Sequence, residues 1–177
     1  MKVLISGKED EEVEYALEML KNYSLEVSEE PDLVISVGGD GSVIYAFKKY
    51  DLPVLPVRLR SNLGFLSDAS FNQLEKVYEK LEKDEYYLKR FLLLDLFKND
   101  ERLTSSLNEI NLQQKDPRKA ARFNIYSNGE RLFDFPIISD GVIVSTPIGS
   151  TAYNSSIGGY LVNPKYEKIV VTLKAQS

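Results

Sequence analysis

Residues 33–37, Leu-Val-Ile-Ser-Val, form a run that stops abruptly at Gly38-Gly39-Asp40-Gly41. This run constrains the fold more than any other stretch. A strand that is wetted on one side alternates apolar and polar residues, whereas a strand covered on both faces reads as continuous and belongs in a parallel sheet flanked by helices. The neighbouring segments supply those helices and further strands. Residues 2–6 read as a short buried strand ended by Gly7. Val13, Ala16, Leu17 and Leu20 recur at helical spacing behind an acidic first turn, and Lys21-Asn22 closes that helix before Pro31 restarts the chain. Residues 42–50 read as helix and 53–57 as strand, and Phe71, Leu74, Val77, Tyr78 and Leu81 mark one more amphipathic helix. Residues 1–84 are therefore expected to form a Rossmann-like α/β domain.

After Lys83 the period changes. Residues 86–97, 105–112, 122–127, 131–138, 142–145 and 169–173 all read as strands, with Asn128-Gly129 as a hairpin turn because both residues tolerate positive φ. Asp116-Pro117-Arg118-Lys119 reads as an exposed loop. Residues 85–177 are thus expected to form a β-rich second domain, sandwich-like in class. Neither a low-complexity linker nor an internal repeat separates the halves, so they are expected to pack tightly.

Composition excludes several kinds of chemistry. With no cysteine and no histidine in 177 residues, disulfides, thiolate zinc sites, cysteine nucleophiles and His-based triads are all ruled out. Acid–base work falls to carboxylates, Lys or Tyr. A net charge of -5 and a pI near 5.0 provide no basic field for a nucleic-acid backbone or an anionic membrane, and neither is expected as a partner. The start MKVLISGKEDEE fits neither a secretory signal nor a transit peptide, and no apolar run approaches the roughly 18 residues of a membrane span, so the expected location is the cytoplasm.

Two motifs carry chemistry. In Ser36-Val37-Gly38-Gly39-Asp40-Gly41-Ser42 a buried strand empties into glycines and a helix start. Glycines let phosphates approach backbone N–H groups, a helix N-terminus favours their charge, and Asp40 would stand at a transferring phosphate. Taken alone, the same four residues are equally a tight strand-to-helix turn with Asp capping the helix. Neither G-x-x-x-x-G-K-[ST] nor G-x-G-x-x-G occurs, so a nucleotide site here is of another kind. In the second motif, residues 140–156 followed by Gly158-Gly159, a strand empties into a turn rich in hydroxyls and small residues. Such a turn can press against a flat polar ligand, or can simply be a polar loop between strands.

Taken in order, Gly38-Gly39-Asp40-Gly41, Asn62-Leu63-Gly64-Phe65-Leu66-Ser67-Asp68, Leu107-Asn108-Glu109-Ile110 and Asp140-Gly141 through Ser145-Thr146-Pro147-Ile148-Gly149-Ser150-Thr151-Ala152-Tyr153 resemble the signature of the NAD kinases. The Gly-Gly-Asp-Gly turn is shared with phosphofructokinases and diacylglycerol-type lipid kinases, and the Ser145 to Tyr153 stretch is the discriminating one. The resemblance implies transfer of the terminal phosphate of ATP, or of polyphosphate, to the adenosine-ribose 2′-hydroxyl of NAD. It also implies Mg²⁺ or another divalent cation, an NAD site in a crevice between the two domains, and a homodimer or homotetramer. By the same resemblance Asp40 orients or deprotonates the attacking hydroxyl, Gly38, Gly39 and Gly41 receive phosphates, and Asp40 and Gly41 also meet NAD. Asn108 and Glu109 hold ribose hydroxyls, although alone they read as a solvated strand end. Phe65 lies beside the adenine, although alone it reads as core. Thr151, Ala152 and Tyr153 contact the adenine, with plain hairpin packing as the other reading of Tyr153. Asp140 reaches the nicotinamide end, sometimes across a subunit boundary, and Ser156 adds one hydrogen bond.

The chain departs from the family in two places. Pro56-Val57-Arg58-Leu59-Arg60-Ser61 stands where many members carry Gly-Ile-Asn-x-Gly. Arg58 and Arg60 read either as a bidentate clamp on phosphates of ATP or polyphosphate or as an exposed pair. The sequence also stops at Ser177, where members of the family continue, so an incomplete β domain with open edges or apolar faces is expected. A second functional reading follows from this: a shortened, non-catalytic NAD- or nucleotide-binding regulatory protein.

Overall fold

A computed structural model describes the chain apart from Glu9, residues 60–65, Asp68, Pro117, Ser177 and the side chains of Asp10, Ala175 and Gln176. It divides into two units, Met1–Lys89 and Arg90–Ser177.

The first unit follows the chain as β1 (Lys2–Gly7), α1 (Asp10–Leu20), β2 (Glu26–Val27), β3 (Leu33–Gly38), α2 (Asp40–Tyr50), β4 (Val54–Arg58), β5 (Ala69–Ser70), a 3₁₀ turn (Phe71–Gln73) and α3 (Leu74–Glu82). Its five strands are all parallel, in the order β2-β1-β3-β4-β5. Every residue of β3 is buried, as the unbroken run requires of a central strand covered on both faces. The core joins Val3, Ile35, Val37 and Val57 of the sheet to Ala16 and Leu20 of α1 and Leu74, Tyr78 and Leu81 of α3. Tyr78 brings a hydroxyl into this core and donates it to the Ala16 carbonyl at 3.0 Å. Successive strands are added to one side of β1 and then to the other, so the strand order reverses between β1 and β3. In open α/β sheets ligands bind outside the carboxyl ends of the strands at such a switch point.

The second unit contains β6 (Leu94–Lys98), β7 (Glu101–Ser106), β8 (Glu109–Gln113), β9 (Ala121–Phe123), β10 (Tyr126–Ser127), β11 (Glu130–Arg131), β12 (Ile137–Ser145), a 3₁₀ turn (Gly149–Thr151), α4 (Tyr153–Ser156) and β13 (Val170–Gln176). β12 is central, antiparallel to β13 on one side and to β8 and β9 on the other. β6–β7 and β10–β11 are separate hairpins, and Asn128 and Gly129 turn the second with φ of 51° and 84° as expected.

Four expected strands are cut differently, one of them that over 122–127, which divides into β9 and β10 because β9 pairs with β12 and β10 with β11. The strand expected over residues 86–97 begins only at Leu94, because its partner β7 ends at Ser106, opposite Leu94. Before it, Tyr87 and Leu88 are exposed. The strand expected over 105–112 is split at Leu107 and Asn108, where the chain leaves β6 and joins β12. The strand expected over 131–138 reduces to the ends of β11 and β12. Tyr160, Leu161 and Phe135 are left exposed on this unit, and β13 stands at one end of its sheet. Among the described residues no helix is long and apolar enough to cross a membrane.

Candidate functional site

The first candidate site is the junction of β3 and α2, at the switch point. Gly38 has φ of +146°, a backbone region that side chains rarely adopt, and an added Cβ would collide with the Ser42 hydroxyl and lie 3.0 Å from its Cβ. Gly39 is the N-cap of α2, with extended backbone, and its carbonyl accepts from the Ser42 N–H at 2.9 Å. Asp40 is therefore not the cap, as the purely structural reading of the turn had it. It occupies the first helical turn, and its Oδ1 accepts the Leu66 N–H at 3.1 Å, from 26 residues further on. The open amides of a helix start favour an anion, and here they follow directly on the glycines. At Gly41 an added Cβ would meet no described residue within 4 Å. Arg58 ends β4 in register with Gly38, which brings its backbone beside the turn. Arg60 and Phe65 lie outside the described residues.

The second candidate site, described by itself, is one face of the sheet in the other unit. Side chains alternate across a strand. Glu109 and Gln113 of β8 therefore share a face with Ser145 and Gly141 of β12, their register partners, and with Thr172 and Lys174 of β13. The 3₁₀ turn and α4 fold back over this face: the Thr172 hydroxyl donates to Asn154 Oδ1 at 2.6 Å, and the Lys174 ammonium lies 5.1 Å from the Tyr153 ring centroid. Glu109, Thr151, Ala152 and Tyr153 thus belong to one side of the sheet. Asp140 is exposed, and alternation puts it on the opposite side. Asn108 is half-buried, and Thr151, Tyr153 and Ser156 are exposed.

The hydroxyls of this turn do not serve the role expected of them. Ser145, Thr146, Ser150 and Asn154 are wholly buried and are spent on the protein's own backbone. The Thr146 hydroxyl donates to the Leu107 carbonyl at 2.6 Å and accepts the Gly149 N–H at 3.0 Å. The Ser150 hydroxyl donates to the Pro147 carbonyl and accepts the Val162 N–H, while the Asn154 amide donates to the carbonyls of Ser150 and Tyr160. A buried polar group must find a partner, and these found theirs inside the turn. They fix the loop's shape and leave Thr151, Ala152 and Tyr153 at its surface. Asn154 and Gly149, which hold that shape, carried no sequence signal beyond membership of the motif.

Among the described residues three buried side-chain oxygens find no hydrogen-bond partner, Ser36 Oγ and Ser67 Oγ in the first unit and Glu109 Oε2 in this one. Burial raises the Glu109 carboxyl above its ordinary value near 4.5. An orphaned buried acceptor invites a donor from outside the protein. Among the described residues no three His, Cys, Asp or Glu side chains gather to hold a metal.

Comparison with known proteins matches each unit to a known domain. Residues 5–86 match the ATP-NAD kinase N-terminal domain, and residues 107–175 the ATP-NAD kinase C-terminal domain. An NAD kinase of Lachnospira eligens is 36% identical over 148 residues, covering 80% of this chain and 50% of its own length. One from Methanosarcina acetivorans is 39% identical over 142 residues, 79% of this chain and 50% of its own. The chain spans about half the length of these curated relatives. Among solved structures, an NAD kinase from Archaeoglobus fulgidus in complex with ATP superposes with a TM-score of 0.83 at 27% identity, covering 99% of this chain and 73% of the other.

Proposed function

This chain belongs to the NAD kinase family, and on that premise we propose that it transfers the terminal phosphate of ATP, or of polyphosphate, to the adenosine-ribose 2′-hydroxyl of NAD, giving NADP. The observation that carries the reading is Glu109. A buried carboxylate oxygen with no donor of its own suits a sugar hydroxyl, which brings one. Asn108 beside it would take a second ribose hydroxyl, and Thr151, Ala152 and Tyr153 would meet the adenine. Ser156 would add one hydrogen bond to these contacts, while Asp140, on the opposite side of the sheet, would reach the nicotinamide end of NAD held by a second protomer. ATP in the Archaeoglobus fulgidus complex supports ATP as the donor.

At the β3–α2 turn, Gly38, Gly39 and Gly41 would receive the donor's phosphates, with Arg58 as a nearby cation. The 2′-oxygen attacks the terminal phosphorus, the bond to the bridging oxygen breaks, ADP leaves, and the hydroxyl proton passes to Asp40. A loose phosphoryl-transfer transition state needs positioning and charge neutralisation more than a strong base, so an ordinary carboxylate suffices. Mg²⁺ typically binds through one or two carboxylates together with substrate phosphates. With Asp40 at the phosphate turn and no carboxylate cage among the described residues, the donor set fits an ion carried by the donor. Such an ion would neutralise charge on the phosphates. The same reading carries a cytoplasmic homodimer or homotetramer, supported by the acidic composition and the family resemblance.

The direct test is NADP formation by the purified 177-residue chain from NAD, Mg²⁺ and each donor, beside calorimetric NAD binding. Binding with no product from either donor would overturn the catalytic reading.

Two further results are expected. Gly41→Ala adds a methyl where no described residue lies within 4 Å, and Ala is the better helix former, so stability should hold or rise by up to about 1 kcal/mol. The same methyl occupies the approach of a phosphate, so the KM for ATP should rise roughly tenfold, the cost of about 1.4 kcal/mol of lost contact. Melting curves and initial rates read the two effects separately, and an unchanged KM would exclude Gly41 from the phosphate site.

The second concerns pH. Because folding raises the Glu109 value, its neutral form adds stability below the unfolded value near 4.5, and that stability is lost as pH rises through the raised folded value. NAD binding should run the other way, since the ionised carboxylate makes the stronger hydrogen bond. Affinity should weaken roughly tenfold on acidification through the raised value, in proportion to the lost charge assistance. Glu109→Gln should flatten both slopes; a variant that titrates like the parent would assign them elsewhere.

A further inference from the structure

We propose that Lys174 is a positioning residue for Tyr153, an inference that rests on the functional reading of the turn given above. Lys174 on β13 and Gln113 on β8 are both register partners of Gly141 on the central strand between them. They stand two strand spacings apart, roughly 10 Å, yet the Lys174 Nζ donates to Gln113 Oε1 at 2.8 Å. The lysine therefore lies across β12, and it crosses at the one position there without a side chain. Above this crossing the Tyr153 ring centroid is 5.1 Å from Nζ. An ammonium held over an aromatic face is attracted by the ring's quadrupole.

The arrangement joins β8, β13 and the first residue of α4 through a single cation. The same ammonium is anchored on the Gln113 side-chain carbonyl and faces the ring of Tyr153, a residue that remains 39% exposed. Lys174 need touch no ligand. It holds the ring on which the adenine is proposed to rest, so that NAD meets a ring already oriented and loses less freedom on binding.

The test uses the 177-residue chain. Lys174→Met keeps the apolar stem and removes the charge, while Lys174→Arg keeps both the cation and the reach. Lys174→Met should raise the Kd for NAD about fivefold, the loss expected of a half-exposed cation–π contact, and leave kcat within about twofold, because the reacting atoms lie elsewhere. Lys174→Arg should restore binding. If Lys174→Met fails to fold, Gln113→Met removes the far anchor at an exposed site and should shift Kd in the same direction. An unchanged Kd in a folded Lys174→Met or Gln113→Met chain overturns the proposal, as does failure of Lys174→Arg to restore it. The clasp has its own readout without ligand: the Lys174 ε-methylene protons should be shifted upfield by the ring current and return in Tyr153→Leu. A chain that shows the shift but binds no NAD overturns the functional reading and keeps the clasp. A chain that binds NAD without the shift overturns the clasp alone.

Discussion

Asp40→Asn is expected to lower turnover by about 10²- to 10⁴-fold, the usual worth of a positioned proton acceptor, while the Kd for NAD stays within about threefold. Asn was chosen because of what it preserves. Asp40 Oδ1 accepts the Leu66 N–H at 3.1 Å, a bond linking the start of α2 to a segment 26 residues away. The amide oxygen of Asn can accept that bond, so the local backbone should stay in place. Ala would break the bond as well and confuse chemistry with structure. Replacing the acid removes a favourable charge from the first helical turn, which costs about 0.3–1 kcal/mol at most exposed sites and predicts only a small fall in melting temperature. It also removes a negative charge from a site proposed to hold phosphates, so the KM for ATP should hold or fall. A fall in kcat with an unchanged or lower KM is the pattern of an interaction made in the transition state. Single-turnover NADP formation, with NAD calorimetry alongside, measures both. A purified variant with unchanged turnover would remove Asp40 from the mechanism.

The parallel sheet was legible because its central strand could be read in one way only. Residues 33–37 carry no alternation, and a strand without alternation must be covered on both faces, as β3 is. The Asn128-Gly129 hairpin was legible for a similarly local reason, since few residue pairs accept two positive φ angles. What escaped the sequence depends on partners far along the chain. The split between β7 and β8 arises because the Asn108 carbonyl accepts the Thr146 N–H at 2.8 Å, a contact invisible to any local pattern. The hydroxyl-rich turn kept two readings for the same reason. Thr146 spends its hydroxyl on Leu107, 39 residues earlier, and composition alone cannot tell a hydroxyl turned inward from one offered to a ligand. Glu109 was singled out by resemblance, but its orphaned oxygen is a property of packing. Lys174 carried no signal at all, because its role depends on a bare position on the neighbouring strand.

The same long-range joint makes Gly149→Ala the second large effect. A Cβ on Gly149 would overlap the Asn108 carbonyl and lie 2.6 Å from the Asn108 Cα, and all of these are backbone atoms. A flexible side chain can swing away from such an intrusion; a backbone held at both ends cannot. The Asn108 carbonyl is fixed by the Thr146 N–H at 2.8 Å, and Thr146 Oγ1 is fixed between the Leu107 carbonyl and the Gly149 N–H. Relief requires the 3₁₀ turn and the 107–108 segment to part, breaking one or two buried hydrogen bonds at about 1–3 kcal/mol each, beyond the overpacking itself at about 1–3 kcal/mol. A loss of about 3–5 kcal/mol follows, a large fraction of the 5–15 kcal/mol that holds a typical domain together. Function should fail before the unit unfolds. Asn108 and Glu109 lie on one side of the joint and Thr151, Ala152 and Tyr153 on the other, so parting it separates the groups proposed to hold ribose from those proposed to meet adenine. At a temperature where the variant remains folded, its Kd for NAD should rise by more than about tenfold, one such factor for each 1.4 kcal/mol of binding lost. For stability alone Gly41→Ala is the matched comparison, the same added methyl at a position where no described residue lies within 4 Å. A Gly149→Ala chain that melted with its parent and bound NAD equally well would mean that the two segments can part freely, and that the joint between them is not what holds the NAD site together.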